Sequence, residues 1–315
     1  MRVTDFIAAT WLALFCVIGS ISSAQTTPLT ERPHGGSQLP SGALHFGIGS
    51  YPSTEELVHA LPTPLANRPH LATHLQALIT GYPGQIREFA ASPDDKLYVI
   101  LSNGSCHIYD DGKTKSAAQR LDAPDIKDMF FDAYPLANPT DTLPEDFDPG
   151  RARPEAFFKA IYGASAEEVS RSLVSVDFCG KKVSFTNRNG AADALKRVAA
   201  DLTAIVSQHP ESRIWVEKLG GTYNWRPIAG TDRLSMHSYG AAIDLNADRS
   251  DYWKWKAPGT VRTYSRKAFP AEIIEAFERH GFIWGGKWYH FDTMHFEYRP
   301  EVLWVSRAGP LQKSP

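Results

Sequence analysis

Within Ser235-Met236-His237-Ser238-Tyr239-Gly240-Ala241-Ala242-Ile243-Asp244, an imidazole and a carboxylate are spaced to reach one point from opposite ends of a turn. Both suit Zn²⁺, and a catalytic zinc takes three protein ligands while keeping a fourth position open. A His/Asp pair alone is equally at home in an ordinary capped turn, so a third ligand decides the matter. It stands downstream, in His290-Phe291-Asp292-Thr293-Met294-His295-Phe296-Glu297-Tyr298, where His295 opens an alternating, strand-like run. Asp292, a few residues earlier, can sit over the open position without ligating the metal and accept a proton there. Zinc polarises a carbonyl and lowers the pKa of bound water to about 7. The set therefore spells metal-assisted amide hydrolysis, with His237, Asp244 and His295 as ligands and Asp292 as base, then acid to the leaving amine. A guanidinium would stabilise the developing oxyanion. Arg226, which ends the Gly-rich turn leading into the site, is the first choice, and Arg233, nearer to His237, is its rival. His290 is read as structural, or as a contact to Asp292 or a further ligand. Ser235 is read as a local hydrogen-bond former, since no nucleophile elbow surrounds it.

The elements around these residues follow from apolar spacing. Residues 241–245 are small and apolar, as expected of a buried strand that carries one carboxylate out at its end, and a buried aspartate needs a strong partner. Gly240 and Ala242 are small enough to let the backbone pass close to a metal. The spacing of Leu195, Val198, Leu202, Ile205 and Val206 predicts a helix over 189–208, stopped at His209-Pro210. Pro270, Ile273, Ile274, Phe277 and Gly281 mark a second helix over 270–280. Between them a strand is expected at 213–218, and Gly285, Gly286 and Trp288 shape a turn behind the site. Earlier, 174–185 reads as a strand pair around Gly180. Helices are expected at about 154–162 and behind Ser165, which forms a capping box with Glu168. Residues 138–154, rich in proline and acid, read as a linker. Before it, 54–61 and 71–79 read as helices, and Asn103-Gly104 joins strands at 97–101 and 106–109 in a hairpin. Asp110-Asp111-Gly112 lacks the alternating ligands of a calcium loop and reads as a solvated turn.

The chain of 315 residues is long enough for a catalytic domain with a companion. Its formal charge of -2, with no run of Lys or Arg, gives nucleic acid nothing to bind. Residues 1–24, with Arg2, a short apolar core and Ser22-Ser23-Ala24, read as a cleaved secretory signal. That core is short for a spanning helix, so no membrane anchor is expected after cleavage. The mature protein is placed in the periplasm or outside the cell. An oxidising compartment makes a Cys106–Cys179 disulfide the expected state, with two buried thiols as the alternative. The divisions are then a signal at 1–24, a flexible leader at 25–41, an N-terminal mixed α/β accessory region at 42–150 and a zinc peptidase domain at 151–309. The last has an α+β fold, with a small antiparallel sheet carrying the ligands and helices packed to one side.

Ser235, His237, Gly240, Ala242 and Asp244, followed by Asp292 and His295, form Ser-x-His-x-x-Gly-x-Ala-x-Asp and Asp-x-x-His. Over roughly 178–301 this resembles the zinc D-alanyl-D-alanine carboxypeptidase and L-alanyl-D-glutamate endopeptidase family, whose fold is shared with the zinc domain of hedgehog proteins. The resemblance implies zinc on His237, Asp244 and His295, Asp292 as base, an upstream arginine at the oxyanion, and peptidoglycan stem peptides as substrates. Some members carry Glu in place of Asp292, which leans the match toward the endopeptidase-like branch. Tyr223-Asn224-Trp225-Arg226 looks like a shortened form of the usual arginine motif. A zinc-binding module without catalysis and a zinc amidase acting on another substrate are the alternative readings.

Overall fold

A computed structural model of the chain describes residues 36–137, 143–255 and 269–309. The expected signal at 1–24, the leader as far as 35 and part of the linker, 138–142, lie outside these residues. The chain begins with β1 (Leu44–Gly47), α1 (Thr54–Ala60), α2 (Thr63–Ala66) and α3 (Leu71–Gly81). Then β2 (Ile86–Ala91), β3 (Leu97–Leu101) and β4 (Cys106–Asp110) complete an antiparallel sheet in the order β1-β2-β3-β4. β3 is buried along its whole length, so it needs a strand on each side. β4 arrives through the expected Asn-Gly hairpin. β2 carries Arg87 and Glu88, which break the apolar alternation, and it becomes a strand through its pairing with β3.

After α4 (Ala117–Asp122) come α5 (Glu155–Tyr162) and α6 (Ala166–Ser170). Ser165 Oγ accepts from Glu168 N as expected, but the Glu168 carboxylate reaches one residue further back, accepting from Ala164 N at 2.9 Å. β5 (Leu173–Phe178) and β6 (Lys181–Thr186) form the expected hairpin. α7 (Ala191–Gln208) lays Leu195, Val198 and Leu202 against it.

The strand expected at 213–218 is instead a helical turn, α8 (Arg213–Val216). A 3₁₀ turn begun by Pro210 runs straight into it. Ile214 and Val216 would share one face of a strand, whereas here Val216 is buried and Ile214 is exposed. The sheet that matters starts just beyond, with β7 (Leu219–Gly221) and β8 (Ala242–Leu245). After α9 (Ala271–Arg279) it is completed by β9 (Phe282–Trp284) and β10 (His295–Tyr298), antiparallel in the order β7-β8-β10-β9. The fold is thus mixed α+β with small antiparallel sheets.

Register divides this sheet into two chemical faces. Phe296 pairs with Ile243 and Trp284, putting apolar side chains together on the face toward α9, where Phe296 stacks on Phe277 at 4.0 Å. The opposite parity brings Asp244, His295 and Glu297 together on the other face. The tail forms α10 (Pro300–Ala308), started by proline at its first turn and packed on α3. Aromatic contacts such as Tyr82 on Phe157, 5.2 Å between centroids, continue one apolar core across residues 46–305.

The expected Cys106–Cys179 bridge is absent, and the two sulfurs are not joined. Cys106 in β4 packs with Ala90, Tyr98 and Ile100. Cys179 occupies the β5–β6 turn, where burial pushes its thiol up to about 11. Each cysteine is taken up by its own hairpin.

Because the ligand-bearing strands rest on the Phe296 stack, Phe296→Ala should cost the metal-free protein about 3–5 kcal/mol. Urea unfolding with an unchanged m value measures this. A loss below about 1 kcal/mol would mean that the apolar face does not hold the sheet.

Candidate metal and catalytic centre

His295 and Asp244 are direct cross-strand partners between β10 and β8. A cross-strand pair projects side chains to the same face at close spacing, so the register alone brings these two groups together. His237 arrives from a 3₁₀ turn, Met236–Tyr239, capped by Ser235, whose Oγ accepts from His237 N. Gly240 ends that turn at φ 63°, and a Cβ there would lie 2.6 Å from Leu173 Cδ2. Its smallness therefore serves the turn and its packing against β5, not the passage of backbone beside a metal.

The three sequence-predicted ligands converge. Asp244 Oδ1 lies 3.1 Å from both His237 Nε2 and His295 Nδ1, and the two nitrogens are 3.2 Å apart. A tetrahedral ion with bonds of 2.0–2.1 Å separates its ligands by about 3.3 Å, so the triangle has the right edge.

The outer hydrogen bonds fix which lone pairs face inward. His237 Nδ1 is 2.7 Å from the carbonyl of Thr222, which can only accept, so Nδ1 carries the proton and Nε2 is left with its lone pair. His295 Nε2 lies 2.9 Å from Glu297 Oε2, so it is the protonated nitrogen and Nδ1 faces the centre. With both imidazoles neutral, two lone pairs and a carboxylate are aimed at one point, an arrangement that suits a metal cation. Nitrogen and oxygen donors without sulfur fit zinc.

The charges agree. Burial opposes ionisation of Asp244, yet the two imidazoles hold its carboxyl well below the usual range. Burial likewise opposes a charged His295, but Asp244 and Glu297 raise it to about 10 in the metal-free protein. Glu297, fully buried, is itself held low against its own burial by Arg153, His295 and Arg299.

Asp292 lies in the turn that delivers His295, where His295 N donates to its carbonyl at 3.2 Å and its own N donates to Gly285 O at 3.0 Å. A Cβ on Gly285 would come within 2.6 Å of Asp292 O, so glycine is what permits the turn. Burial raises the Asp292 carboxyl to about 6; His295 and His237 draw it down and Asp244 pushes it up, so it lies within electrostatic reach of all three groups. Its Oδ1 is buried and has no hydrogen-bond partner among the described residues.

Arg226 is anchored beside the motif through its backbone. Its N donates to Ser238 Oγ at 3.0 Å and its carbonyl accepts from the same hydroxyl at 2.8 Å, while the side chain is exposed. Its charge is felt by Tyr252, which bridges to Asp292. Arg233 is held elsewhere, donating from Nη1 to Leu121 O at the end of α4. His290 contacts neither Asp292 nor the triangle: its Nδ1 pairs with Asp148 Oδ2 at 2.6 Å.

Asp148 belongs to the stretch read as a linker. Arg151 pairs with Asp148 at 2.7 Å and Arg153 with Glu297, so this stretch forms one wall of the centre. Its many prolines and acids concealed that role. Arg151 and Arg153, charged residues on either side of Ala152, were the available signal. Thr222 acts through its backbone, which leaves no trace in side-chain chemistry.

A family model described as D-alanyl-D-alanine carboxypeptidase matches residues 229–298. The match spans His237, Asp244, Asp292 and His295, begins after Arg226, and covers less than a quarter of the chain. It supports a hydrolase of the zinc peptidase class. No curated protein and no solved structure matches the chain.

Two outcomes follow for the metal. Glu297→Gln should weaken zinc binding about 10–100-fold, read by chelator competition, and an unchanged affinity would remove Glu297 from the centre. His295, with its pKa raised to about 10 without metal, must lose a proton when zinc binds. Affinity should therefore rise with pH by up to about tenfold per unit through neutrality and level off near pH 10. A flat profile between pH 6 and 8 would contradict this protonation scheme.

Proposed function

We propose that the protein is a secreted zinc metallopeptidase that hydrolyses amide bonds in peptidoglycan stem peptides, of the D-Ala-D-Ala carboxypeptidase or L-Ala-D-Glu endopeptidase type. One observation carries the chemistry: a carboxylate with an unpartnered, buried oxygen, Asp292 Oδ1, stands within electrostatic reach of a His-Asp-His triangle. A zinc site serving only structure would have no use for such a group. The substrate class draws on the family match at 229–298 and on the motifs it contains. Residues 1–24 are proposed as a cleaved secretory signal, which puts the mature protein in the periplasm or outside the cell, where this substrate is found.

His237 Nε2, Asp244 Oδ1 and His295 Nδ1 would hold the zinc. Bound zinc supplies Lewis-acid polarisation of the scissile carbonyl and lowers the pKa of water to about 7. Asp292 takes a proton from the attacking water and returns it to the nitrogen of the leaving amine. Burial raises the Asp292 carboxyl in the metal-free protein, the direction that favours carrying the proton to the amine. Arg226, on the loop clamped by Ser238 and with its side chain exposed, would supply a guanidinium to the carbonyl oxygen as negative charge develops. Thr222 and Glu297 hold the outer nitrogens of the two imidazoles and so aim the inner ones at the centre.

Asp292→Ala should retain one equivalent of zinc and lose about 10²–10⁴-fold in kcat, scored by mass spectrometry of products from intact muropeptides. Unchanged hydrolysis would refute the assigned base. Products released from a bond outside the stem peptide would identify a different amidase.

A further inference from the structure

The end of α3 supplies no ligand to the metal triangle, yet it meets the residues behind that triangle in a buried polar joint. Five buried side-chain atoms there have no hydrogen-bond partner among the described residues: Tyr82 Oη, Tyr162 Oη, Asn189 Oδ1, Arg299 Nη2 and Glu301 Oε2. They belong to one place. Arg299 Nε donates to Glu301 Oε1 at 2.5 Å, Asn189 Nδ2 donates to Gly81 O at 2.8 Å, and the charges of Glu301 and Arg299 reach both phenols. Native proteins satisfy nearly all such atoms, so five together mark a position that the surrounding fold imposes.

α3 ends by seating itself on the first turn of α10. A Cβ on Gly81 would lie 2.7 Å from Glu301 Cβ and 2.9 Å from Glu301 N, closer than a side chain can stand, so glycine is what lets Tyr82 approach. Tyr82 is 1% exposed, and its ring is held edge-on against Phe157 at 5.2 Å between centroids. Burial, and then the charge of Glu301, push its hydroxyl well above the ordinary phenol range. One oxygen of Glu301 is taken by Arg299, which leaves Oε2 facing the field of the phenols. A carboxylate only accepts and a hydroxyl donates, so the two sides are complementary.

From Glu301 the contacts run to the metal centre. Arg299 Nη1 donates to Glu297 Oε1 at 3.1 Å and to Gly150 O, and Glu297 Oε2 lies 2.9 Å from His295 Nε2. Glu301, Arg299 and Glu297 are all fully buried, so water cannot replace a partner that moves away. We propose that Gly81 and Tyr82 are positioning residues of the zinc centre: they fix Glu301 and, through Arg299 and Glu297, the aim of His295. The N-terminal region is then a working part of the metal site and not an accessory to it. The inference rests on the zinc centre of the peptidase reading above. Both residues lie outside the family match at 229–298. Arg153 also holds Glu297, so losing the α3 contact should weaken the centre without abolishing it.

Zinc affinity of the full-length protein, read by chelator competition, tests this, together with the visible absorption of the cobalt-loaded protein, which reports ligand geometry. Tyr82→Phe, which removes one oxygen, should weaken zinc about 2–30-fold, the range for residues coupled through a packed network. Gly81→Ala should weaken it too and shift the cobalt bands, although alanine is the better helix former. Ile86→Val trims the same apolar core away from these contacts and should leave both readouts unchanged. In a Glu301→Gln background the Tyr82→Phe loss should shrink, because residues acting through one another are not additive. Native affinity in both Tyr82→Phe and Gly81→Ala overturns the inference. So does an Ile86→Val loss as large as theirs, which marks general loosening, or a Tyr82→Phe loss undiminished by Glu301→Gln. Those outcomes leave the peptidase reading standing. A native protein that binds no zinc, or binds it no better than His237→Ala, overturns that reading and this inference with it.

Discussion

Two imidazole nitrogens 3.2 Å apart, each 3.1 Å from one carboxylate oxygen, set the constraint around which this structure is built. Without a metal, a proton on His295, held there by Asp244 and Glu297 against burial, fills the role of the cation. The arrangement is enforced from outside. Thr222 O and Glu297 Oε2 take the outer N–H groups, and Arg153 and Arg299 in turn hold Glu297 ionised deep in the protein. Arg299 is completely buried and continues the ladder to Glu301 at 2.5 Å. Breaking such a ladder at one rung leaves an uncompensated buried charge, worth about 3–5 kcal/mol. The site's rigidity is therefore tied to the folding of α10 and of the stretch around residue 150.

The sheet does the geometric work. Pairing His295 with Asp244 also pairs Phe296 with Ile243, so one register places the donor triangle on one face and the aromatic core on the other. A slip of one residue would turn both faces over. Chemistry and stability are thereby secured by the same strand pairing, and the stacked Phe277–Phe296 rings guard it.

The donor set, the hairpins at Gly104 and Gly180, and the helices led by Ala191 and Ala271 were legible, because each depends on local periodicity or on side-chain chemistry. What escaped depends on long-range contact. β2 exists because β3 needs a neighbour, and α8 replaces a strand because Pro210 starts a turn that propagates. Asp148 and Arg151 were hidden inside a stretch with the composition of a linker, yet the first grips His290 and the second pairs with the first. The Cys106–Cys179 bridge was inferred from compartment and count, neither of which carries distance. His290, read first as structural, is indeed held by a residue far away in sequence, Asp148. Tautomers were unreadable at that stage, since they are set by a backbone carbonyl and by a glutamate whose face depends on strand register.

The central claim is that His237, Asp244 and His295 form one mononuclear zinc centre. X-ray absorption at the zinc edge of the zinc-loaded protein tests it most directly. The account predicts a four-coordinate shell of nitrogen and oxygen at about 2.0–2.1 Å, with two imidazoles, no sulfur, and loss of the imidazole scattering in the His237→Ala, His295→Ala double variant. A sulfur-containing shell, or a spectrum unchanged by that double substitution, would contradict it.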